Sequence, residues 1–149
     1  MRVGAVGLGS RTATVFNELL KINSDITMIS YVDPYPIGRK IAEENNFFPN
    51  QKYETLHEML KNENLDLLMV GSPNHLHLEH ITEGLEAGLK IFAEKPIVIN
   101  EKESFALAKL IKKYGKEKII VGLVLRYSQH AKSINKISLA SRLLKISIS

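Results

Sequence analysis

Apolar residues are grouped along the chain in five short runs that few polar residues interrupt. These runs cover residues 2–6, 26–32, 65–70, 90–93 and 119–125. Near-continuous apolar runs of this length are typical of strands that are buried on both faces, as in a parallel sheet. We therefore predict that each run forms a strand and that the strands pair in parallel.

Apolar residues at helical spacing fill the segments between these runs. The predicted helices follow Gly9, cover residues 37–45, begin at Thr55, run through Ile81 and Leu85 to Gly88, and extend from Asn100 to Gly115. Thr55 and Asn100 are each followed by Glu three residues later, which is the capping-box spacing of a helix start. Strands and helices therefore alternate along most of the chain.

This alternation indicates an α/β fold, in which a doubly wound parallel sheet lies between two helical layers in a three-layer αβα arrangement. We assign residues 1–125 to this domain. Beyond it the pattern changes, because residues 130–142 are weakly helical and apolar and polar residues alternate over 144–148. Such alternation is typical of a strand with one buried face. Since nothing in the sequence is left to pair it, we expect this strand to join a second copy in a weak homo-oligomer.

The composition fits one globular domain. Of 149 residues, 44% are hydrophobic and 24% charged, so the chain can bury a core. No apolar run approaches the roughly 18 residues of a membrane span, and the N-terminal residues lack the long apolar stretch of a signal peptide. The absence of cysteine excludes disulfides, thiolate metal ligands and a cysteine nucleophile. We therefore predict a cytoplasmic protein with no membrane partner.

The net charge of +4 conceals an uneven distribution. The first 100 residues carry 9 basic and 13 acidic side chains, whereas the last 49 carry 11 and 3. A basic segment can indicate contact with nucleic acid. Here lysines crowd the end of one predicted helix, where the helix dipole favours them, and neither interleaved aromatics nor a known reading motif accompanies them. We therefore expect no nucleic-acid partner.

A glycine turn joins the first predicted strand to the first helix. Gly7 permits the tight turn, and Gly9 lacks a Cβ, so a pyrophosphate can approach the backbone at the positive end of the helix. Thr12 stands where a dinucleotide fingerprint has its third glycine. Asp33 follows the second strand, where a carboxylate accepts hydrogen bonds from the adenosine ribose. These residues predict a dinucleotide site that prefers NAD to NADP, because Asp33 would repel a 2′-phosphate, although Arg11, Arg39 and Lys40 could in principle offset that repulsion.

Polar residues also follow the third and fourth predicted strands. Residues 72–80 contain three histidines, and His77 and His80 would be neighbours on a helix, a spacing compatible with metal binding. Since there is no HExxH motif, no cysteine and no fixed third ligand, we predict no metal and instead a polar helix start at the carboxyl edge of the sheet, where α/β proteins bind ligands. Lys95 lies at the same edge, where its ammonium could donate a proton or stabilise an oxyanion.

Together these segments resemble the N-terminal domain of the glucose–fructose oxidoreductase / inositol dehydrogenase (Gfo/Idh/MocA) family. The resemblance covers roughly residues 1–130 and rests on segments 6–11, 32–33, 72–77, 87–90, 94–96 and 122–127. The glycine turn alone is a common feature. The combination of Pro73-Asn74-x-x-His77 with Glu94-Lys95-Pro96 is much more specific to this family.

The resemblance implies a Rossmann domain that binds NAD or NADP in an oxidoreductase acting on a CH–OH group of a sugar, polyol or cyclitol. It assigns the pyrophosphate to the start of the first helix: Gly7, Gly9, Ser10, Arg11 and Thr12. It assigns the nicotinamide side to residues after the third strand: Ser72, Pro73, Asn74 and His77. Asp33 would hold the adenosine ribose. Glu94 and Lys95 would lie between nicotinamide and substrate, with Lys95 as the catalytic residue near the reacting hydroxyl.

The sequence departs from the family in its length. Family members continue into a second domain that binds the substrate and carries an Asp-x-x-x-His pair, whereas residues 126–149 would supply only the crossover and the first strand of that domain. We therefore expect the isolated chain to bind NAD(H) and to turn over slowly or not at all. The alternative is a non-enzymatic module that senses NAD or holds a partner through its surface.

Overall fold

The computed structural model describes residues 1–47 and 51–122. Its strands are β1 (Arg2–Val6), β2 (Thr27–Val32), β3 (Gln51–Tyr53), β4 (Leu67–Val70), β5 (Lys90–Ala93) and β6 (Ile119–Val121). Its helices are α1 (Ser10–Ile22), α2 (Pro36–Glu44), α3 (Leu56–Asn62), α4 (His77–Glu86) and α5 (Glu101–Tyr114). Single 3-10 turns cover Asn74–Leu76 and Lys116–Lys118.

The strands form one sheet in the order β3-β2-β1-β4-β5-β6, and every neighbouring pair is parallel. The chain moves outward from β1 to β3, returns to the other side of β1 as β4, and moves outward again to β6. The predicted doubly wound parallel sheet is therefore confirmed. Its direction of winding reverses between β1 and β4, and ligands of open α/β sheets bind at the carboxyl ends of the strands beside such a reversal.

Apolar side chains pack on both faces of the sheet, which confirms the three-layer arrangement. One cluster joins the sheet to α1 and α2, with Phe16 meeting Phe47 edge to face at a centroid distance of 5.0 Å. The other joins it to α3, α4 and α5 through side chains such as Met59, Ile81 and Leu107. All four residues of β4 are buried, as expected of a central parallel strand.

Helices α3 and α5 begin at the predicted N-cap residues, Thr55 and Asn100. The Thr55 hydroxyl accepts a hydrogen bond from the Glu58 amide at 3.1 Å, and the Asn100 side chain accepts one from the Glu103 amide at 2.9 Å. These bonds satisfy amides that the first helical turn leaves without partners. At its other end α5 stops at Gly115, as predicted.

The structure adds one strand that the apolar pattern did not predict. β3 has three residues and pairs only with β2 at the edge of the sheet, and its Gln51 and Lys52 are exposed. The strand predicted over 119–125 is observed over Ile119–Val121, and residues 123–125 of that prediction lie outside the described residues. So do the crossover, helix and strand predicted within 126–149 and the contact between copies. No helix in the described ranges is long and apolar enough to cross a membrane.

Candidate functional site

A cleft in two parts opens at the carboxyl ends of the central strands. The larger part, about 750 Å³, is bordered by Asp33. The smaller, about 460 Å³, is bordered by Glu94 and Lys95. Both parts are bordered by Gly9 and Gly71, so they meet over the glycine turn, beside the point where the winding of the sheet reverses.

The glycine turn is fixed by its backbone. Gly7 has a φ of +81°, a conformation that side chains disfavour, and its amide donates to the carbonyl of Val32 at 2.8 Å. A Cβ at Gly7 would lie 2.4 Å from the backbone carbon of Gly71. Only glycine therefore allows the turns after β1 and β4 to lie against each other.

Thr12 occupies the third position of the fingerprint without disturbing the turn. Its side chain is buried, and its hydroxyl donates to the Gly7 carbonyl at 3.0 Å. A Cβ at Gly71 would lie 2.1 Å from that hydroxyl oxygen. In the fingerprint, a third glycine allows the helix to pack closely on the strand. Here the Thr12 side chain fits at that position because Gly71 has no side chain.

The N-terminus of α1 faces the cleft with its amides free of side-chain caps. Gly9 is the N-cap residue, and within residues 1–47 and 51–122 no side chain caps the first-turn amides. A Cβ on Gly9 would meet nothing within 4 Å, so the backbone is open to the cleft. Ser10 and Arg11 follow and are exposed. Free amides and the positive end of a 13-residue helix suit an anion such as a pyrophosphate.

Asp33 is buried at the end of β2 and braces the turn after β1. One carboxylate oxygen accepts from the Leu8 amide at 2.9 Å, and the other accepts from the Tyr35 amide at 2.9 Å. Each oxygen keeps a further lone pair, and the residue borders the larger part of the cleft. Asp33 is therefore placed to accept hydrogen bonds from a diol such as a ribose.

His77 connects the segments that follow β4 and β5. Its side chain is 1% exposed. Its Nε2 lies 2.8 Å from the Ser72 carbonyl, and its Nδ1 lies 2.8 Å from the Pro96 carbonyl. The ring borders the smaller part of the cleft, and each nitrogen lies against a main-chain carbonyl, to one of which the ring N–H donates. Its bonds therefore fix the position of the two segments relative to each other.

His80 supports Ser72 from the next turn of α4. The Ser72 hydroxyl lies 2.8 Å from His80 Nδ1. Burial lowers the pKa of His80 below its ordinary value, so the ring is mostly neutral at pH 7, and its tautomer decides whether Nδ1 accepts from the hydroxyl or donates to it. Ser72 was predicted as a site residue and His80 was not, although His80 follows His77 by three residues and both therefore lie on adjacent positions of a helix.

Glu94 forms an ion pair across the smaller part of the cleft. Its carboxylate is nearly buried and accepts from Arg11 Nε at 3.1 Å. The Lys95 amide lies 3.4 Å from its second oxygen, while the Lys95 side chain is exposed. Pro73 and Asn74 are exposed at the same edge. The family resemblance assigned Arg11 to a pyrophosphate, whereas its pairing with Glu94 depends on a contact between residues far apart in the chain.

The site thus combines a helix start suited to an anion, a buried carboxylate suited to a diol, and a lysine beside an ion-paired glutamate. Among the residues that the structure describes, no three His, Asp or Glu side chains are grouped as a metal site would require. The arrangement suits a ligand with a central pyrophosphate and a group on either side of it.

Comparisons with known proteins agree with this geometry. A family model described as an oxidoreductase family with an NAD-binding Rossmann fold matches residues 1–123. The inositol 2-dehydrogenase/D-chiro-inositol 3-dehydrogenase of Lactiplantibacillus plantarum is 24% identical over 127 residues, which are 85% of this chain and 36% of that protein. The inositol 2-dehydrogenase of Corynebacterium glutamicum is 25% identical over 137 residues, 92% of this chain and 40% of that protein. The chain therefore spans less than half the length of these relatives.

Among solved structures, scyllo-inositol dehydrogenase from Lactobacillus casei with bound NAD(H) and scyllo-inositol matches with a TM-score of 0.79 at 22% identity. The match covers 95% of this chain and 42% of that one, and it supports the fold. Since the family model covers most of the sequence, the chain belongs to the Gfo/Idh/MocA family of oxidoreductases and has its NAD-binding Rossmann fold.

Proposed function

We propose that the chain is the cofactor-binding part of an NAD-dependent dehydrogenase that acts on a CH–OH group of a sugar, polyol or cyclitol. The observation that carries the proposal is the two-part cleft, in which Asp33, the open Gly9 turn and Lys95 follow one another across the point where the sheet reverses. The names of the relatives, which are inositol dehydrogenases, support the substrate class.

A preference for NAD over NADP follows from the charges near the end of β2. The Asp33 carboxylate would accept from the ribose hydroxyls and repel a 2′-phosphate. The two nearby basic residues of α2 are engaged by neighbours on the same helix: Arg39 lies 2.8 Å from Glu43, and Lys40 lies 3.7 Å from Glu44. Neither residue borders the larger part of the cleft, which further favours NAD.

The middle of the cofactor would lie over the first turn of α1. The amides of Ser10, Arg11 and Thr12 would donate to the pyrophosphate, and Gly7 and Gly9 would let it approach the backbone. Ser72, Pro73 and Asn74 would border the nicotinamide, and His77 would hold their segment against the one that carries Lys95.

Bound NAD would supply the hydride acceptor. In the oxidation of an alcohol, the carbinol carbon loses the hydride and the hydroxyl loses its proton, which leaves a carbonyl. The exposed Lys95 Nζ would bind the substrate oxygen and transfer its proton. Glu94, held in place by Arg11, would line the cavity beside Lys95. Lys95 is thus the proposed catalytic residue, and the substrate would complete its site with the help of further protein surface.

Calorimetric titration with NADH and NADPH tests the cofactor assignment. We expect the wild-type chain to bind NADH below millimolar concentration and NADPH at least about tenfold more weakly, because one unfavourable charge contact near a surface is of that order. Failure of both cofactors to bind below millimolar concentration would contradict the proposal. Tighter binding of NADPH would contradict only the preference for NAD.

Steady-state assays with a panel of polyols test whether the chain catalyses the reaction by itself. We expect slow turnover or none. Any turnover should be lost in Lys95→Met and partly kept in Lys95→Arg, which retains a cation. Binding of NADH without turnover on any polyol, in a chain extended to the length of its relatives, would favour the alternative of a non-enzymatic NAD-binding module.

Location and assembly complete the proposal. We propose a cytoplasmic protein, on the absence of cysteine from its sequence. We also propose that the chain forms weak homo-oligomers through its C-terminal residues. A single monomeric species in light scattering at high protein concentration would contradict the second point.

A further inference from the structure

We propose that the Arg11–Glu94 ion pair sets how strongly the site discriminates between oxidised and reduced nicotinamide dinucleotide. The inference rests on the proposed function, since it concerns the cofactor in the same cleft. It assigns to Arg11 a role in specificity that is separate from any contact with the pyrophosphate.

The ion pair links two elements that are distant in sequence. Arg11 lies in the first turn of α1 and Glu94 follows β5, and Arg11 Nε lies 3.1 Å from Glu94 Oε1. The glutamate side chain is 11% exposed and the arginine side chain 48%. Gly122 leaves room for the carboxylate, since a Cβ there would lie 3.1 Å from Oε1. Glu94 is therefore a nearly buried carboxylate with a fixed position and a cationic partner.

The part of the cofactor that meets this pair follows from the topology. Asp33, at the end of β2, is suited to the adenosine ribose, and the Gly9 turn to the pyrophosphate. The remainder of a dinucleotide must then continue past the turn to the β4 and β5 side of the sheet. That side holds the smaller part of the cleft, which both Arg11 and Glu94 border. The nicotinamide would thus lie in the cavity that contains the ion pair.

The oxidised ring carries a positive charge that the reduced ring lacks. A carboxylate that is shielded from water attracts that charge, and a cation beside the carboxylate offsets the attraction. Lys95 adds a second positive charge to the cavity, but it is the same in every variant compared below. The balance between Arg11 and Glu94 therefore determines the relative affinity for NAD⁺ and NADH.

The ratio of NAD⁺ affinity to NADH affinity, measured by calorimetry on the full chain, tests this directly. Arg11→Gln leaves Glu94 without its partner, and we expect the ratio to shift toward NAD⁺ by about tenfold. Glu94→Gln leaves Arg11 without its partner, and the ratio should shift toward NADH. The double variant should return close to the wild-type ratio, because both charges are removed.

Two controls separate this effect from others. Affinity for ADP-ribose, which lacks the nicotinamide, reports any contact of Arg11 with the pyrophosphate, and such a contact cancels in the ratio. Arg39→Gln removes the same charge from another ion pair, the one with Glu43 at 2.8 Å, which does not border the smaller cavity. Its ratio should equal that of the wild type.

Each outcome has a clear meaning. Ratios within about twofold of the wild type in both Arg11→Gln and Glu94→Gln would overturn the inference, as would a shift of the same size in Arg39→Gln. Equal loss of affinity for NAD⁺, NADH and ADP-ribose in Arg11→Gln would reduce Arg11 to a pyrophosphate ligand and also overturn it. Failure of ADP-ribose to bind the wild type would instead contradict the proposed function.

Discussion

His77 and His80 lie one helical turn apart on α4 and have different partners. His77 is buried between two main-chain carbonyls, which only accept, so the ring nitrogen that carries the proton donates to one of them and the tautomer decides which. His80 is partly buried, and its Nδ1 shares a hydrogen bond with the Ser72 hydroxyl. Both histidines therefore stabilise the segment after β4, one through the backbone and one through a side chain.

Replacement of His77 by Leu should destabilise the fold. The carbonyls of Ser72 and Pro96 would lose the ring as a partner in a buried place, and we expect a loss of about 2–4 kcal/mol in the free energy of unfolding. Urea denaturation measures it. Ile81→Val, at a buried position of the same helix, should cost only about 0.5–1.5 kcal/mol. A His77→Leu loss no larger than that would refute the structural role.

His80 should make stability depend on pH. Folding lowers the pKa of its ring from the ordinary value of 6.5, so the unfolded chain binds the proton more tightly than the folded chain. The free energy of unfolding should therefore have its full value above pH 6.5 and should fall as the pH drops toward the pKa of His80 in the folded chain. Thermal unfolding between about pH 7.5 and pH 5.5 measures the fall, which His80→Gln should reduce. An unchanged pH dependence in the variant would contradict the assignment.

Local patterns singled out residues that border the cleft, but they did not predict the bonds between them. Gly7, Gly9 and Asp33 are recognisable because a strand end, a turn and a helix start follow one another in sequence. The pairing of Arg11 with Glu94 and the two carbonyl partners of His77 depend on how distant segments pack, and no local spacing encodes that.

At the scale of elements, the turns after β1 and β4 form a unit with the start of α1. Thr12 fits between them only because Gly71 has no side chain. The substitution at the third position of the fingerprint and the glycine after β4 are therefore coupled, which neither position reveals alone.

Gly71→Ala should accordingly be costly. The added Cβ would lie 2.1 Å from the Thr12 hydroxyl and 2.9 Å from the Gly7 carbonyl, and we expect a loss of about 1–3 kcal/mol, as for other overpacked sites. Thr12→Ala in the same chain removes the first clash and should restore part of the stability, as measured in urea. If the two losses simply add, the two positions are independent and the coupling is wrong.

The apolar pattern predicted the central strands and the helices because burial on both sheet faces leaves a strong signal in sequence. The apolar pattern did not predict β3, for a physical reason. This strand is short, lies at the edge and is mostly exposed, so its place depends on backbone pairing with β2 and requires little apolar surface. The capped helices, by contrast, were predictable because a side chain at each start bonds its own backbone.

At the scale of the whole molecule, the cleft crosses the middle of the sheet and borders both halves of the fold. A ligand that fills it should stabilise both together. At a concentration of 100 times its dissociation constant, NADH should add about 2.7 kcal/mol to the free energy of unfolding. Thermal unfolding with and without NADH measures this as an upward shift of the midpoint, and absence of a shift would show that the folded chain does not bind it.

The two amide bonds of Asp33 have a consequence for how cofactor preference could change, in evolution or by design. The carboxylate that would exclude a 2′-phosphate also holds the amides of Leu8 and Tyr35. A substitution at Asp33 that admits the 2′-phosphate therefore also removes the hydrogen bonds that hold the glycine turn, where Leu8 is fully buried. Under the proposed function, cofactor choice and folding would be tied to one side chain, and a switch to NADP would be easier after a stabilising change elsewhere in the turn.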